Sequence, residues 1–150
     1  MRKLLALVFA LVCVISLTGC NNTKQKDVTT YHFSGEHENF TISNGSIILS
    51  SKRQEFYGGE LTITQPDIFE NVTSYSTNFY TINNGERDPF QSNTTTGQTD
   101  GAVPSSQKLG NAASNGIMIS NLEQGLWFEL ITIDASGAEN VYQIQLTLTK

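Results

Sequence analysis

The last quarter of the chain limits its fold more than any other stretch. In Val141 to Thr149, Tyr142, Ile144, Leu146 and Leu148 alternate with Gln143, Gln145 and Thr147, the period-two pattern of a strand with one buried and one wet face. An amphipathic helix would need apolar residues every three or four positions, and no segment of the chain sustains that. Upstream, Leu126-Trp127-Phe128-Glu129-Leu130-Ile131-Thr132-Ile133 is largely apolar on both faces, which predicts a central strand. Asp134 to Gly137 predicts the turn between the two runs. Trp127 is the expected large core residue, and its truncation to alanine at a fully buried site would cost about 3 to 5 kcal/mol.

The same signals recur back along the chain. Tyr31 to Ser34 predicts a first strand ending at Gly35. Phe40 and Ile42 share a face before Asn44-Gly45, a strong hairpin signal, and Ser46 to Lys52 is expected to return with Ile47 and Leu49 on one side. Glu55 to Thr64 reads as a strand interrupted at Gly58-Gly59, where a bulge or a close backbone approach is expected. Gln65-Pro66-Asp67 ends it, and Asp67 to Asn71 has room for one helical turn. Val72 to Ile82 predicts a long strand with Tyr75 and Phe79 on one face and Tyr80 and Ile82 on the other, turned by Asn83-Asn84-Gly85. Gln91 to Asn115 is mostly Ser, Thr, Asn, Gly and Gln. It reads as a mobile connection holding one short strand around Ser106 to Asn111. Eight or so short strands without a helical period predict an all-β fold, an antiparallel immunoglobulin-like β-sandwich, with a small β-barrel as the alternative.

The first twenty residues have a different character. Arg2 and Lys3 precede the apolar run Leu4 to Ile15, and Leu17-Thr18-Gly19-Cys20 closes it. Twelve apolar residues fall short of the roughly twenty that cross a bilayer core as a helix. The segment resembles the signal peptide and lipobox of bacterial lipoproteins. The resemblance implies cleavage before Cys20, lipidation of its thiol, and attachment to the cell membrane on the extracytoplasmic side by acyl chains. The expected organisation is then a signal peptide over 1–19, a lipidated cysteine and flexible tether over 20–28, and the β body over 29–150. Of 150 residues, removal of 19 leaves 131, one domain of ordinary size. Loss of Arg2 and Lys3 leaves seven basic against fourteen acidic residues, a balance that excludes nucleic acid as a partner. Cys13 leaves with the signal and Cys20 is consumed by lipid, so no disulfide and no free thiol are expected in the body.

A second resemblance rests on short patches: His32-Phe33-Ser34-Gly35-Glu36-His37-Glu38-Asn39-Phe40, Gly59-Glu60-Leu61-Thr62-Ile63, and the hairpin that contains Trp127. These look like a group of small Gram-positive lipoproteins. Membership implies the location and the sandwich without supplying an activity.

No residue pattern identifies a reaction. His32 and His37 fall on different faces unless a turn brings them together, and no further ligand has metal-site spacing, so neither a metal nor a cofactor is expected. Asp67, Glu70, Glu86, Asp88, Asp134 and Glu139 sit beside turn signals, where acidic side chains solvate and cap the backbone. The favoured reading is a lipid-anchored binding or accessory module that touches another envelope protein or a peptide through loops or a strand edge, with Tyr75, Tyr80 and the Gln91 to Asn115 segment as candidate contacts. The alternative is an envelope hydrolase using the acidic turns or the His32/His37 pair. It requires two of Asp67, Glu70, Glu86, Asp88, His32 and His37 to converge in a cleft.

Overall fold

A computed structural model describes residues 27–97 and 105–150. The fold is all-β and antiparallel. Its strands are β1 (Thr29–His37), β2 (Phe40–Leu49), β3 (Gln54–Tyr57), β4 (Glu60–Ile63), β5 (Val72–Asn83), β6 (Glu86–Thr96), β7 (Ser106–Lys108), β8 (Asn111–Ser114), β9 (Leu126–Asp134) and β10 (Glu139–Thr149). Two pairs of these are halves of one strand. The register of β4 on β2, with Ser43 opposite Glu60, continues without slip into that of β3, with Ser46 opposite Tyr57. Likewise Glu60 faces Lys108 and Tyr57 faces Asn111. The spatial order is therefore β6, β5, β9, β10, β1, β2, β3/β4, β7/β8. β10 joins the two layers, because Glu139 to Leu146 pairs with β9 whereas Thr147 to Thr149 pairs with β1. The sheet curls until its two outer strands nearly meet, so the sandwich is almost a closed barrel.

Irregularities aligned across neighbouring strands produce the curl. On β2, Ser43 and Asn44 oppose the single residue Ser34 of β1, with Asn44 at φ 57°. That bulge abuts the Gly58-Gly59 break, which in turn abuts Leu109-Gly110, where Gly58 N–H donates to Gly110 O and Leu109 N–H donates to Gly59 O. These glycines leave no room for a Cβ: one on Gly59 would lie 2.1 Å from Ser43 O of the neighbouring backbone, and one on Gly45 would lie 2.1 Å from the Phe33 ring. Bulges and glycines of this kind bend a sheet and raise its twist. The expected hairpin at Asn44-Gly45 is thus a bulge inside one ten-residue strand, and the chain reverses at Glu38-Asn39 and Ser50 to Arg53 instead. β1 correspondingly runs through Gly35 to His37.

The interior is a string of phenylalanines. Phe40 meets Phe128 at 5.6 Å, Phe128 meets Phe79 at 5.0 Å, Phe79 meets Phe56 at 4.7 Å and Phe56 stacks on Phe33 at 5.7 Å. Each such pair contributes about 0.5 to 1.5 kcal/mol beyond its area burial. Ile42, Ile47, Leu61, Leu126 and Leu130 fill the spaces between the rings. β9 is central as expected, with β5 and β10 on its two sides. Its inward residues, however, are Leu126, Phe128, Leu130 and Thr132, so Trp127 is a half-buried residue of the outer face and not part of the core. The Gln91 to Asn115 segment is also more ordered than its composition suggests: β6 reaches Thr96, and β7 and β8 complete the last strand. Residues 98–104 of it lie outside the described part.

Strand alternation divides the connections between two ends of the body. One end gathers the start of β1, the Ser50 to Arg53 turn, the Asn83 to Glu86 turn, the connection from Asn115 to Gly125, and Lys150. The other gathers the β1–β2 turn, the connection through the 3-10 turn Pro66–Phe69, and the Asp134 to Ala138 turn. That short 3-10 turn is the helical turn expected before Asn71, and its Phe69 closes this end by packing edge-on against Tyr75 at 5.3 Å.

Candidate functional site

β6 and β7/β8 are the two ends of the strand order, and among the described residues no backbone ladder joins them. Side chains of β5 and β6 reach across to β7/β8 instead. Tyr75 on β5 points inward, is buried to 6 % exposure, and donates its hydroxyl to Gln107 Oε1 on β7 at 2.7 Å. The amides of Gln91 and Asn93 reach over Gly110, so close that a Cβ there would lie 2.9 Å from each. A cleft of about 370 Å³ follows this seam, lined by Tyr75, Thr77, Asn93, Thr95, Gln107 and Leu109 among others. The first half of the β6 edge is guarded: Pro89 lacks an amide donor, and Phe90 is an extra residue between the Phe79–Gln91 and Tyr80–Pro89 pairs. The second half, Gln91 to Thr96, has neither proline nor charge. An exposed strand edge without those guards is a template for a further strand.

A second constellation lies on the outer face of β6, β5, β9 and β10. Glu129 is 5 % exposed. It accepts from Arg87 Nη1 at 2.6 Å, Gln143 Nε2 at 2.5 Å and Asn78 Nδ2 at 3.2 Å, with Asn78 and Gln143 its direct neighbours across the ladders. These donors satisfy a carboxylate that would otherwise be costly to bury. The Arg87 guanidinium also covers the Tyr80 ring at 5.1 Å, and Tyr80 lies beside Trp127 with centroids 6.2 Å apart. Burial pushes the Tyr80 phenol above its usual range, opposed by Arg87 and reinforced by Glu129. The Trp127 indole N–H is buried without a partner among the described residues. A shallow cleft of about 310 Å³ opens beside Tyr80, Arg87 and Glu129. Glu129, a charge inside an apolar strand and two residues from Trp127, is the sequence signal for this face.

Of the candidates from sequence, Tyr75 belongs to the seam and Tyr80 to the outer face. They lie on opposite faces of β5 and both rings are packed. His37 stacks on Phe40 at 4.8 Å and accepts the Asn39 backbone N–H at Nδ1, while His32 is exposed on the neighbouring face of β1. Asp67, Glu70 and Glu86 are exposed, and Asp88 accepts from Ser120 Oγ at 2.5 Å. None of these acidic or imidazole groups lines either cleft, and among the described residues no three His, Cys, Asp or Glu side chains gather as a metal site would require. Cys20 lies outside the described residues. No family model, curated protein or solved structure matches this chain. The functional reading therefore stands on the seam and the outer face themselves.

Asp134 has a structural task. Its Oδ1 accepts from Ser136 Oγ at 2.6 Å, Ser136 N at 2.8 Å and Ala138 N at 3.0 Å, closing the β9–β10 turn. The bond from the Ser136 hydroxyl, then those from the backbone amides, hold its carboxyl below the ordinary value of 3.8. Because the folded state depresses the pKa, the stabilisation is full above the unfolded value and lost as pH falls through the lower folded one. Asp134→Ala should therefore be less stable than the parent at about pH 6, with the gap closing toward about pH 2, as urea unfolding at the two pH values will show.

Proposed function

We propose that the chain is a lipid-anchored extracytoplasmic binding module that takes an extended peptide segment of another envelope protein at the β6–β7/β8 seam. The observation that carries the reading is the uncharged edge Gln91 to Thr96 beside a cleft already floored by Tyr75 and Leu109. Main-chain hydrogen bonds along such an edge supply affinity, and pockets for alternate side chains supply selectivity. Anchoring follows from the Leu17-Thr18-Gly19-Cys20 pattern, which would hold the module at the membrane where envelope partners pass.

The test is a photo-reactive residue at position 94, on the open edge, and a control at the exposed Val141 of β10 in intact cells. The expected result is a discrete adduct from position 94, mapping to one extended segment of one partner and lost when Thr95→Lys puts a charge on the edge. Equal adducts from positions 94 and 141, or an adduct at 94 indifferent to Thr95→Lys, would rule the seam out.

A further inference from the structure

The end of the body where β1 starts is unlike the other end in two respects. First, it has a partly apolar cleft and two exposed aliphatic residues. A cleft of about 530 Å³ opens there, lined by Tyr31, Leu49, Leu122, Leu146 and Leu148 together with the polar segment Glu123 to Gly125 and Gln145. At the same end Ile117 is 84 % exposed and Val28 is 55 % exposed. Ile117 belongs to this end because the next residues, Met118 and Ile119, both donate their amides to Gln54 Oε1 at 2.7 Å, and Gln54 pairs with Leu49 at the far tip of β2.

Second, the charges are sorted along the barrel axis. Lys52, Arg53 and Lys150 project from this end, and Arg87 is the second residue of β6, beside its Asn83 to Glu86 turn. Glu55, Glu86, Asp88, Glu123 and Asp27 leave it near neutral, with Arg53 and Glu55 paired at 2.8 Å. The opposite end carries Glu36, Glu38, Asp67, Glu70, Asp134 and Glu139, and its nearest base among the described residues is Lys108, two residues into β7 and paired with Glu60. A body so charged turns its acidic end away from an anionic lipid surface and its mixed end toward it.

We infer that the β1-start end rests directly on the anionic leaflet, with Ile117 and Val28 among the headgroups and Lys52, Arg53 and Lys150 against lipid phosphates. The inference rests on the reading of Cys20 as the lipid anchor and adds an orientation to it. Eight residues, Asn21 to Val28, separate Cys20 from β1. Even fully extended, eight residues reach at most about 28 Å, which keeps this end within reach of the leaflet and leaves the seam facing sideways along the surface.

The test uses the full chain purified from membranes and reconstituted in phosphatidylcholine vesicles containing phosphatidylglycerol. An environment-sensitive fluorophore is placed on Ile117→Cys or, at the opposite end, on Ala138→Cys, and nitroxide-bearing lipids act as quenchers. The label at 117 is expected to be quenched and that at 138 to stay bright. In a Lys52→Gln/Lys150→Gln background the ratio of docked to free body should fall about fivefold for each charge removed. Mass spectrometry of the same sample reads the state of Cys20. Acylated Cys20 with equal quenching at the two labels overturns the orientation and leaves the anchor standing, whereas an unmodified Cys20 thiol overturns the anchor and the orientation with it.

Discussion

Replacing Gly59 by alanine should destabilise the protein by about 3 kcal/mol or more, read as a fall in the urea midpoint at unchanged slope. Two costs add. Gly59 sits at φ 77°, a conformation that strains any residue with a Cβ by about 1 to 2 kcal/mol. The new Cβ would also lie 2.1 Å from Ser43 O, 2.7 Å from Gly45 N and 2.9 Å from Asn44 C. All three are backbone atoms, so no side chain can rotate out of the way, and relief requires the β2 bulge itself to move. Gly85→Ala isolates the first cost, because Gly85 has φ 84° and nothing within 4 Å of its absent Cβ. It should lose only about 1 to 2 kcal/mol. Equal losses at the two glycines would show that the row of breaks is loosely packed and does not set the curvature.

Phe128→Ala should cost about 3 to 5 kcal/mol, and Trp127→Ala, one residue away on the same strand, about 1 to 2 kcal/mol. Phe128 is fully buried and touches both Phe40 and Phe79, so its removal empties the centre of the phenylalanine string and leaves a cavity between the layers. Trp127 is larger, but it lies on the outer face beside Tyr80, where solvent and neighbouring side chains can fill the gap. Circular dichroism during urea unfolding follows both variants without relying on the tryptophan being replaced. The opposite ranking would mean that β9 faces the other way.

That pair of residues also shows where sequence reading stops. Leu126 to Ile133 announces a central strand, yet alternation alone leaves two apolar faces to choose between, and residue size favours the one with Trp127. The physical arbiter is Glu129, which shares the Trp127 face and finds its donors from Arg87, Asn78 and Gln143 only after three strands assemble around it. Asn44-Gly45 was ambiguous for a related reason. A hairpin and a bulge both put Phe40, Ile42, Ile47 and Leu49 on one face, and both use a residue at positive φ. The bulge wins because β2 then pairs along its whole length, with β1 on one side and β3/β4 on the other. In contrast, the Gly58-Gly59 break, the Asn83-Asn84-Gly85 turn, the Asp134 turn and the two faces of β5 are local properties, and the residues themselves carry them.

The seam was legible only in part. Tyr75 and the Gln91 to Asn115 segment stood out separately, one for its aromatic ring and the other for its polar monotony. An edge strand packs on one side only, so threonine, serine and asparagine serve it as well as they serve a loop, and composition does not separate the two. What joins Tyr75 to Gln107 and sets Asn93 over Gly110 is the curl of the whole sheet, which depends on pairings far apart in the chain.

The most direct test of the open seam is residue-resolved backbone hydrogen exchange of the free protein. β9 has a ladder on each side and β6 on one only. Alternate amides of Gln91 to Thr96 should therefore exchange at nearly the rate of an unstructured chain, while those of Leu126 to Thr132 are all protected. Uniform protection along β6, equal to that of β9, would mean that a ladder already closes the barrel and that no strand-binding edge exists.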